Sequence, residues 1–357
     1  MSMKKILILA NDVTTIVQFR KELVRALVDA GNKVVVSLPA SDRNDEIREL
    51  GAEVVEINSS RHGTNPLEDI FLLFNYRKLL KQQKPDFVFT YTVKPNAYGG
   101  MACGQMKVPY AANVTGLGVI ENEGLLQKLM LTLYKAGCKK AKCVFFQNES
   151  NLEFFKKHKV VGDNVQLLPG SGVNVDRFSY LNYPEEGKVN ILFIGRIIRD
   201  KGVYELAEVA KQYLENKDVH FTILGDVEYG SENPFVGLEN VSCMGYNNDV
   251  IPFIKEAHAV VLPSYHEGMA NVLLEGAASG RPILASTIPG CRESFEEGVT
   301  GFGFEVKNAE SLKCAIDKFL SLSHEQRCEM GKRGREKMEK QFDRKIVVGK
   351  YFEVIGE

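Results

Sequence analysis

Residues 262–280 read Leu-Pro-Ser-Tyr-His-Glu-Gly-Met-Ala-Asn-Val-Leu-Leu-Glu-Gly-Ala-Ala-Ser-Gly. The apolar run 259–262 that leads into this stretch is short enough for a buried strand. Pro263 and Ser264 end the run, and residues 265–268 form a loop. Good helix formers then predict a helix over 269–278, closed by Gly280 and Pro282. Glu267 and Glu275 bracket the first part of that helix with seven residues between them. Eight helical residues rise about 12 Å, the reach from the ribose of a nucleoside diphosphate sugar past its phosphates to the hexose. The backbone amides of Gly268, Met269, Ala270, Asn271 and Val272 have no partner inside such a helix and form a ready anion site. One short element therefore offers an acceptor for a ribose diol, donors for a diphosphate and a second acid at the sugar end. A strand–loop–helix unit with two merely solvated glutamates would show the same spacing.

Working outward, residues 191–202 repeat the pattern, a buried strand running into Gly195 and a helix start. Arg196 and Lys201 stand at the mouth of that strand, with Gly202 beside them where a backbone can approach a phosphate closely. Taken together, Gly195-Arg196, Lys201-Gly202 and the Glu267–Glu275 spacing in two βα units resemble the retaining family-4 glycosyltransferases. The resemblance covers essentially the whole chain.

Length and composition set the frame. A chain of 357 residues is long for one core, so two domains are expected. A net charge of −1 gives no global field of the kind a nucleic-acid partner requires. The seven cysteines are scattered without a C-x-x-C pair, which argues against structural zinc and a disulfide framework and fits a reducing cytoplasm. No run of 18 apolar residues is present, so no membrane-spanning helix is expected.

Along the chain, apolar runs at 4–11, 32–38, 52–57, 86–92, 110–114 and 143–148 alternate with helical patterns at 19–30, 66–83, 124–140 and 151–157. That alternation predicts a parallel sheet covered on both faces, with ligands outside the carboxyl ends of the strands. The loops at Asn11, Thr92, Thr115 and Asn148 are the ones to watch. A Pro- and Gly-containing stretch beginning at 165–173 and ending near residue 188 reads as the linker. A second α/β series follows at 189–195, 219–225, 241–245, 257–262 and 282–286, then an extended piece at 302–306 and helices at 309–322 and 324–341. Boundaries are placed at 1–170 and 171–343, with a helix at 344–357.

The resemblance implies a GT-B architecture, two Rossmann-like parallel-sheet domains facing each other across a cleft. The first would bind the acceptor, the second the nucleotide-sugar donor, and helix 344–357 would cross back onto the first. It implies a UDP-sugar donor, with Glu275 on the ribose, Glu267 on the sugar, Arg196 and Lys201 on the diphosphate, and the backbone around Met244 to Tyr246 lining the base. Glu267, Arg196 and Lys201 form the catalytic set, and no nucleophile is assigned. The sequence has no D-x-D, Asp226-Val227-Glu228 being nearest, so no metal or other cofactor is expected. Candidate acceptor contacts are Asn11, His62 beside Arg61, Lys94, Thr115 and Gly116. The loop at 113–118 lacks the histidine that many family members carry there. His258 reads as a core residue and His266 as a neighbour of Glu267.

A lipid-linked or oligosaccharide acceptor is implied, and a lipid-linked one requires peripheral contact with the cytoplasmic face of the membrane. Lys128, Lys135, Lys139 and Lys142 fall on one helical stripe with Leu125, Leu126, Leu129, Met130 and Leu133. Arg77, Lys81 and Lys84 form a second stripe. Either lies on anionic lipid or is a solvated face on a helix whose leucines are core. Two other function classes share the expected fold, a non-hydrolysing UDP-sugar epimerase and a scaffold that has lost catalysis. The glutamate spacing and the intact Arg196 and Lys201 argue against both.

Overall fold

Near-continuous runs of Val, Ile, Leu and Phe become the strands of two sheets in which every pairing is parallel. The structure, a computed structural model, describes residues 3–57, 66–116 and 124–356. It divides into unit 1, Met1–Ser171 with Val347–Glu357, and unit 2, Gly172–Ile346. Among the described residues no helix is long and apolar enough to cross a membrane.

Unit 1 contains strands β1 (Lys5–Leu9), β2 (Lys33–Leu38), β3 (Glu53–Glu56), β4 (Phe87–Tyr91), β5 (Tyr110–Val114), β6 (Cys143–Phe146) and β7 (Val165–Leu167), in the order β3-β2-β1-β4-β5-β6-β7. Its helices are α1 (Val13–Val17), α2 (Lys21–Asp29), α3 (Asn44–Arg48), α4 (Pro66–Gln83), α5 (Gly100–Met106), α6 (Leu125–Cys138) and α7 (Glu149–Lys157). Alternate strand residues feed opposite faces. Ile6, Ile8, Phe87 and Phe89 join one core, Leu7, Leu9, Val88 and Val144 the other. The expected helix at 19–30 is α2, while α1 precedes it outside that span; Arg20, at the N-cap of α2, is buried. On the second face α6 lies backbone to backbone against the turn at Pro95–Gly99 and α5. A Cβ on Gly100 would stand 2.2 Å from the Gly137 carbonyl oxygen, so only glycine allows that approach. The other face of the sheet takes residues from a distant helix, Arg344–Ile355. Its Tyr351 ring packs 5.0 Å from Phe89 and 4.9 Å from Phe145.

Unit 2 contains β8 (Val189–Ile194), β9 (Val219–Leu224), β10 (Val241–Cys243), β11 (Ala259–Leu262), β12 (Ile283–Ser286) and β13 (Gly301–Phe304), in the order β10-β9-β8-β11-β12-β13. The helices are α8 (Val203–Gln212), α9 (Ile251–Glu256), α10 (Asn271–Ala278), α11 (Ala309–Ser321) and α12 (His324–Lys337), followed by α13, the Arg344–Ile355 helix whose residues from 347 belong to unit 1. The strand order reverses at β8, whose neighbours are β9 and β11. Arg281, fully buried behind α10, donates to the carbonyls of Ile254, Asn182, Lys255, Leu181, Ser279 and Gly280 at 2.8–3.4 Å. Six carbonyl dipoles stand in for a counter-ion there.

Candidate active site

Because β11 lies beside β8 in register, the loops that leave these two strands emerge side by side at their carboxyl ends. Gly202, with φ +69°, makes the junction possible, since a Cβ there would meet the Pro263 carbonyl oxygen at 2.0 Å. The Tyr265 amide donates to the Asp200 carbonyl at 2.8 Å, and its hydroxyl donates to Glu205 on α8 at 2.6 Å. These ties set Lys201 against Glu267. Its Nζ lies 2.5 Å from Glu267 Oε1, with both side chains mostly buried. Sixty-six residues of separation close in one ion pair.

The helix that follows starts at Asn271, two residues later than the propensities of Met269 and Ala270 suggest. Both of those side chains turn into the core. The Ala270 amide is also occupied, donating to the Gly290 carbonyl at 2.8 Å. The expected row of five open amides is therefore interrupted. Among the described residues, the amides of Met269 and Val272 have no acceptor.

The carboxylate of Glu275, on the second turn of α10, makes no hydrogen bond or ion pair among the described residues, while its backbone carbonyl accepts from the Ser279 amide at 3.1 Å. Desolvation pushes its carboxyl up to about 7, a rise that the nearby charges of Arg344 and Arg177 only partly offset. The side chain is half-buried, so the carboxylate stays open to accept from a ligand. Beneath Glu267, the buried Cys291 thiol is pushed well up by desolvation and by the Glu267 charge, with Lys201 opposing.

Arg196 reaches out from the loop after β8 and pairs with Glu228 at 2.8 Å, both largely exposed. Sequence reading placed Glu228 in a strand-end loop and gave no sign of this contact. Asp226 in the same loop joins two neighbours. Its carbonyl accepts from the Ile197 amide at 2.9 Å, and its carboxylate accepts from the Tyr246 amide at 2.9 Å. Met244 and Tyr246 stand exposed beyond β10. Gly195, Arg196, Lys201, Met244, Tyr246 and Glu267 thus lie just past the carboxyl ends of unit 2 strands, and Glu275 follows on the second turn of α10.

In unit 1, Asn11 accepts a hydrogen bond from the Thr92 hydroxyl at 2.8 Å. Lys94 is not a free cation, being paired with Asp69 of α4 at 2.9 Å with both side chains largely buried. Tyr98 donates to the same carboxylate at 2.8 Å. Thr115 and Gly116 are half-buried at the end of β5. His62 and Arg61 lie outside the described residues. His258 is buried, accepts from the Asn190 amide at 3.1 Å, and behaves as a core histidine. Among the described residues no group of three or more His, Cys, Asp or Glu side chains is placed to hold a metal ion.

Comparison with known proteins covers both units. A sequence profile described as Glycosyl transferases group 1 matches residues 181–337, and one described as Glycosyl transferase 4-like matches residues 5–148. The chain is 30% identical to the N,N'-diacetylbacillosaminyl-diphospho-undecaprenol alpha-1,3-N-acetylgalactosaminyltransferase of Campylobacter jejuni, over 87% of this chain and 88% of that one. It is 26% identical to the UDP-Gal:alpha-D-GlcNAc-diphosphoundecaprenol alpha-1,3-galactosyltransferase of Escherichia coli, over 72% and 73%. Among solved structures, a glycosyltransferase from Rickettsia africae superposes with a TM-score of 0.84 at 19% identity, over 99% of this chain and 98% of that one. The Anabaena Alr3699/HepE protein in complex with UDP-glucose superposes with a TM-score of 0.79 at 16% identity, covering 99% of each.

Proposed function

Because this chain belongs to the group 1, family-4 glycosyltransferases and has their GT-B fold, we propose that it moves a sugar from a UDP-sugar to a polyprenyl-diphosphate-linked glycan, with retention. The observation that carries the reading is the Lys201–Glu267 pair at the strand-order reversal, with the desolvated Glu275 carboxyl one turn into the next helix. Relatives whose names specify undecaprenol-diphosphate-linked substrates support the acceptor class.

In this reading Glu275 receives the ribose diol and Tyr246 flanks the base. Arg196, Lys201 and the Met269 and Val272 amides take the diphosphate. Arg196 exchanges Glu228 for phosphate at little cost, since an exposed ion pair contributes about 0–1 kcal/mol. Lys201 keeps Glu267 oriented toward the sugar while its own charge meets the leaving phosphate. Positive potential fixed before the reaction stabilises the charge that develops as the glycosidic bond breaks. The leaving phosphate oxygen then takes the acceptor's proton on the same face, which retains the configuration. The basic groups supply the charge neutralisation, and no divalent cation enters the scheme.

A lipid-linked acceptor brings the enzyme to a membrane surface, and unit 1 presents a surface that suits one. Leu125 is 86% exposed and Phe71 66% exposed, with Leu126, Leu129, Ile70 and Phe74 also on the outside. These leucines are not core, in contrast to one of the two readings of the α6 stripe. Exposed Lys128, Lys135 and Lys139 follow on α6, and exposed Lys78 and Lys81 on α4. Apolar side chains bordered by lysines match an anionic lipid surface.

The test is a panel of nucleotide sugars screened for thermal stabilisation, followed by transfer to a short-chain polyprenyl-diphosphate-linked sugar. The anomeric configuration of the product is read by NMR. An inverted product, or stabilisation by no uridine nucleotide, overturns the reading.

A further inference from the structure

Arg20 is only 3% exposed, and among the described residues no carboxylate pairs with it. One guanidinium nitrogen donates to the Phe19 carbonyl at 2.7 Å, the plane lies 5.0 Å over the Tyr91 ring, and Nε has no partner. With the Gln147 amide oriented to satisfy its neighbours, its oxygen accepts from Arg20 Nη2 at 3.2 Å and its nitrogen donates to the Thr115 carbonyl at 3.1 Å. Among the described residues the buried Tyr91 hydroxyl beside it makes no hydrogen bond of ordinary geometry, with Arg20 and Tyr351 as its polar neighbours. Arg281 shows how this protein settles a buried guanidinium it uses only for structure, with six carbonyls. Arg20 has a single carbonyl, a glutamine and the neighbouring Tyr91 and Tyr351 side chains, none of them charged. A buried charge left in that state is destabilising unless something else supplies the counter-charge.

The surroundings point outward. Asn11, Thr92, Thr115 and Gln147 directly follow or lie within two residues of the ends of β1, β4, β5 and β6, four adjacent strands, and all four are half-buried. Ligands of parallel sheets bind at this edge. Thr92 has φ +70°, a left-handed conformation that a β-branched residue adopts only under constraint, and its hydroxyl is turned to Asn11. The cation that sequence reading put here, Lys94, is neutralised by Asp69.

We infer that the carboxyl edge of the unit 1 sheet is an anion site for the diphosphate of the acceptor, with Asn11, Thr92 and Gln147 as its polar lip and Arg20 as the fixed charge beneath. This rests on the diphosphate-linked acceptor of the preceding reading and adds the place where the diphosphate is held. Arg20 acts through the lip and through space. Its field reaches the ligand with little screening because the intervening medium is protein.

The experiment is calorimetric titration of the full chain with farnesyl diphosphate, at saturating UDP so that the donor site is filled. Inorganic pyrophosphate and farnesol serve as competitors. Wild type is expected to bind the probe and to lose it to pyrophosphate. Arg20→Gln should bind it at least about tenfold more weakly, with the UDP titration unchanged. Arg20 is deep, so a second variant protects the test. Gln147→Glu gives the guanidinium an internal counter-ion, which should leave thermal stability equal or higher while abolishing probe binding. A folded Gln147→Glu protein that binds the probe like wild type overturns the site, as does displacement by farnesol but not pyrophosphate. If wild type ignores the probe yet glycosylates a polyprenyl-diphosphate-linked sugar, the site is wrong and the functional reading stands. If it does neither, both fall.

Discussion

Replacing Glu275 with glutamine separates stability from ligand affinity, two properties that an acid in an apolar seat ties together. In the folded chain its carboxyl is held near 7 instead of 4.5. Below pH 4.5 the group is protonated in both the folded and unfolded chain and carries no penalty. As pH rises from 4.5 to 7 the unfolded chain ionises first, and folding becomes less favourable. The loss is complete above 7 and reaches at most about 3 kcal/mol at about 1.4 kcal/mol per decade of equilibrium constant. Glutamine has no charge to desolvate. The Glu275→Gln protein should therefore match wild type at pH 4 and be the more stable at pH 8, by up to that amount. Urea midpoints followed by circular dichroism at the two pH values measure the difference. UDP affinity should move the opposite way, since a carboxylate accepts from both ribose hydroxyls and an amide oxygen does so less strongly. A loss of about tenfold at pH 8 is expected by calorimetry. A variant no more stable than wild type at pH 8 would refute the desolvated-acid argument. A variant with unchanged UDP affinity would remove Glu275 from the donor site.

Glu267→Ala frees Lys201, so UDP should bind as well as in wild type or better, while turnover of the sugar donor falls roughly a hundredfold or more; steady-state kinetics beside UDP titration check this. Activity should survive EDTA, and complete loss restored by magnesium or manganese would contradict a donor site that relies on Arg196 and Lys201. Reversing the charges of Lys128, Lys135 and Lys139 should lower binding to anionic vesicles by about a hundredfold, at about 1 kcal/mol per basic residue near the surface. Leu125→Ser with Leu129→Ser should weaken it further at high salt, and co-sedimentation reads both.

The strands were legible because both faces of each sheet are covered, which leaves unbroken apolar runs such as Ile6-Leu7-Ile8-Leu9. The α10 stretch was legible because its acids keep a fixed spacing along one chain segment. What bridges segments was not. The Lys201–Glu267 contact needs β8 beside β11, and the Arg196–Glu228 contact needs the loop after β9, neither of which a local pattern encodes. α5 was missed because Gly100 and Gly104 lower the helix propensity of its seven residues, and Gly100 is there for the close backbone approach to Gly137 of α6. Arg20 sits in an amphipathic stretch, where a charged residue reads as solvated. Its burial follows from the break between α1 and α2. The exposed leucines of α6 match core leucines in every local respect, and only the packing distinguishes them.

The placement of α13 has a consequence for biosynthesis. Tyr351, fully buried, closes the aromatic cluster of unit 1 with Phe89 and Phe145 and donates its hydroxyl to Asn113, at the end of β5. Residues 172–346, all of unit 2, are translated between the last unit 1 strand and that helix. At ordinary synthesis rates the gap lasts on the order of ten to thirty seconds. During that time the nascent first unit has its sheet but lacks the helix that completes the cover of one face beside α1, α2 and α3. An apolar groove over Phe89 and Phe145 stays open on the ribosome, a natural substrate for a holding chaperone. Unit 2 carries no such debt to later sequence and can finish first, so the order of completion runs opposite to the order of synthesis.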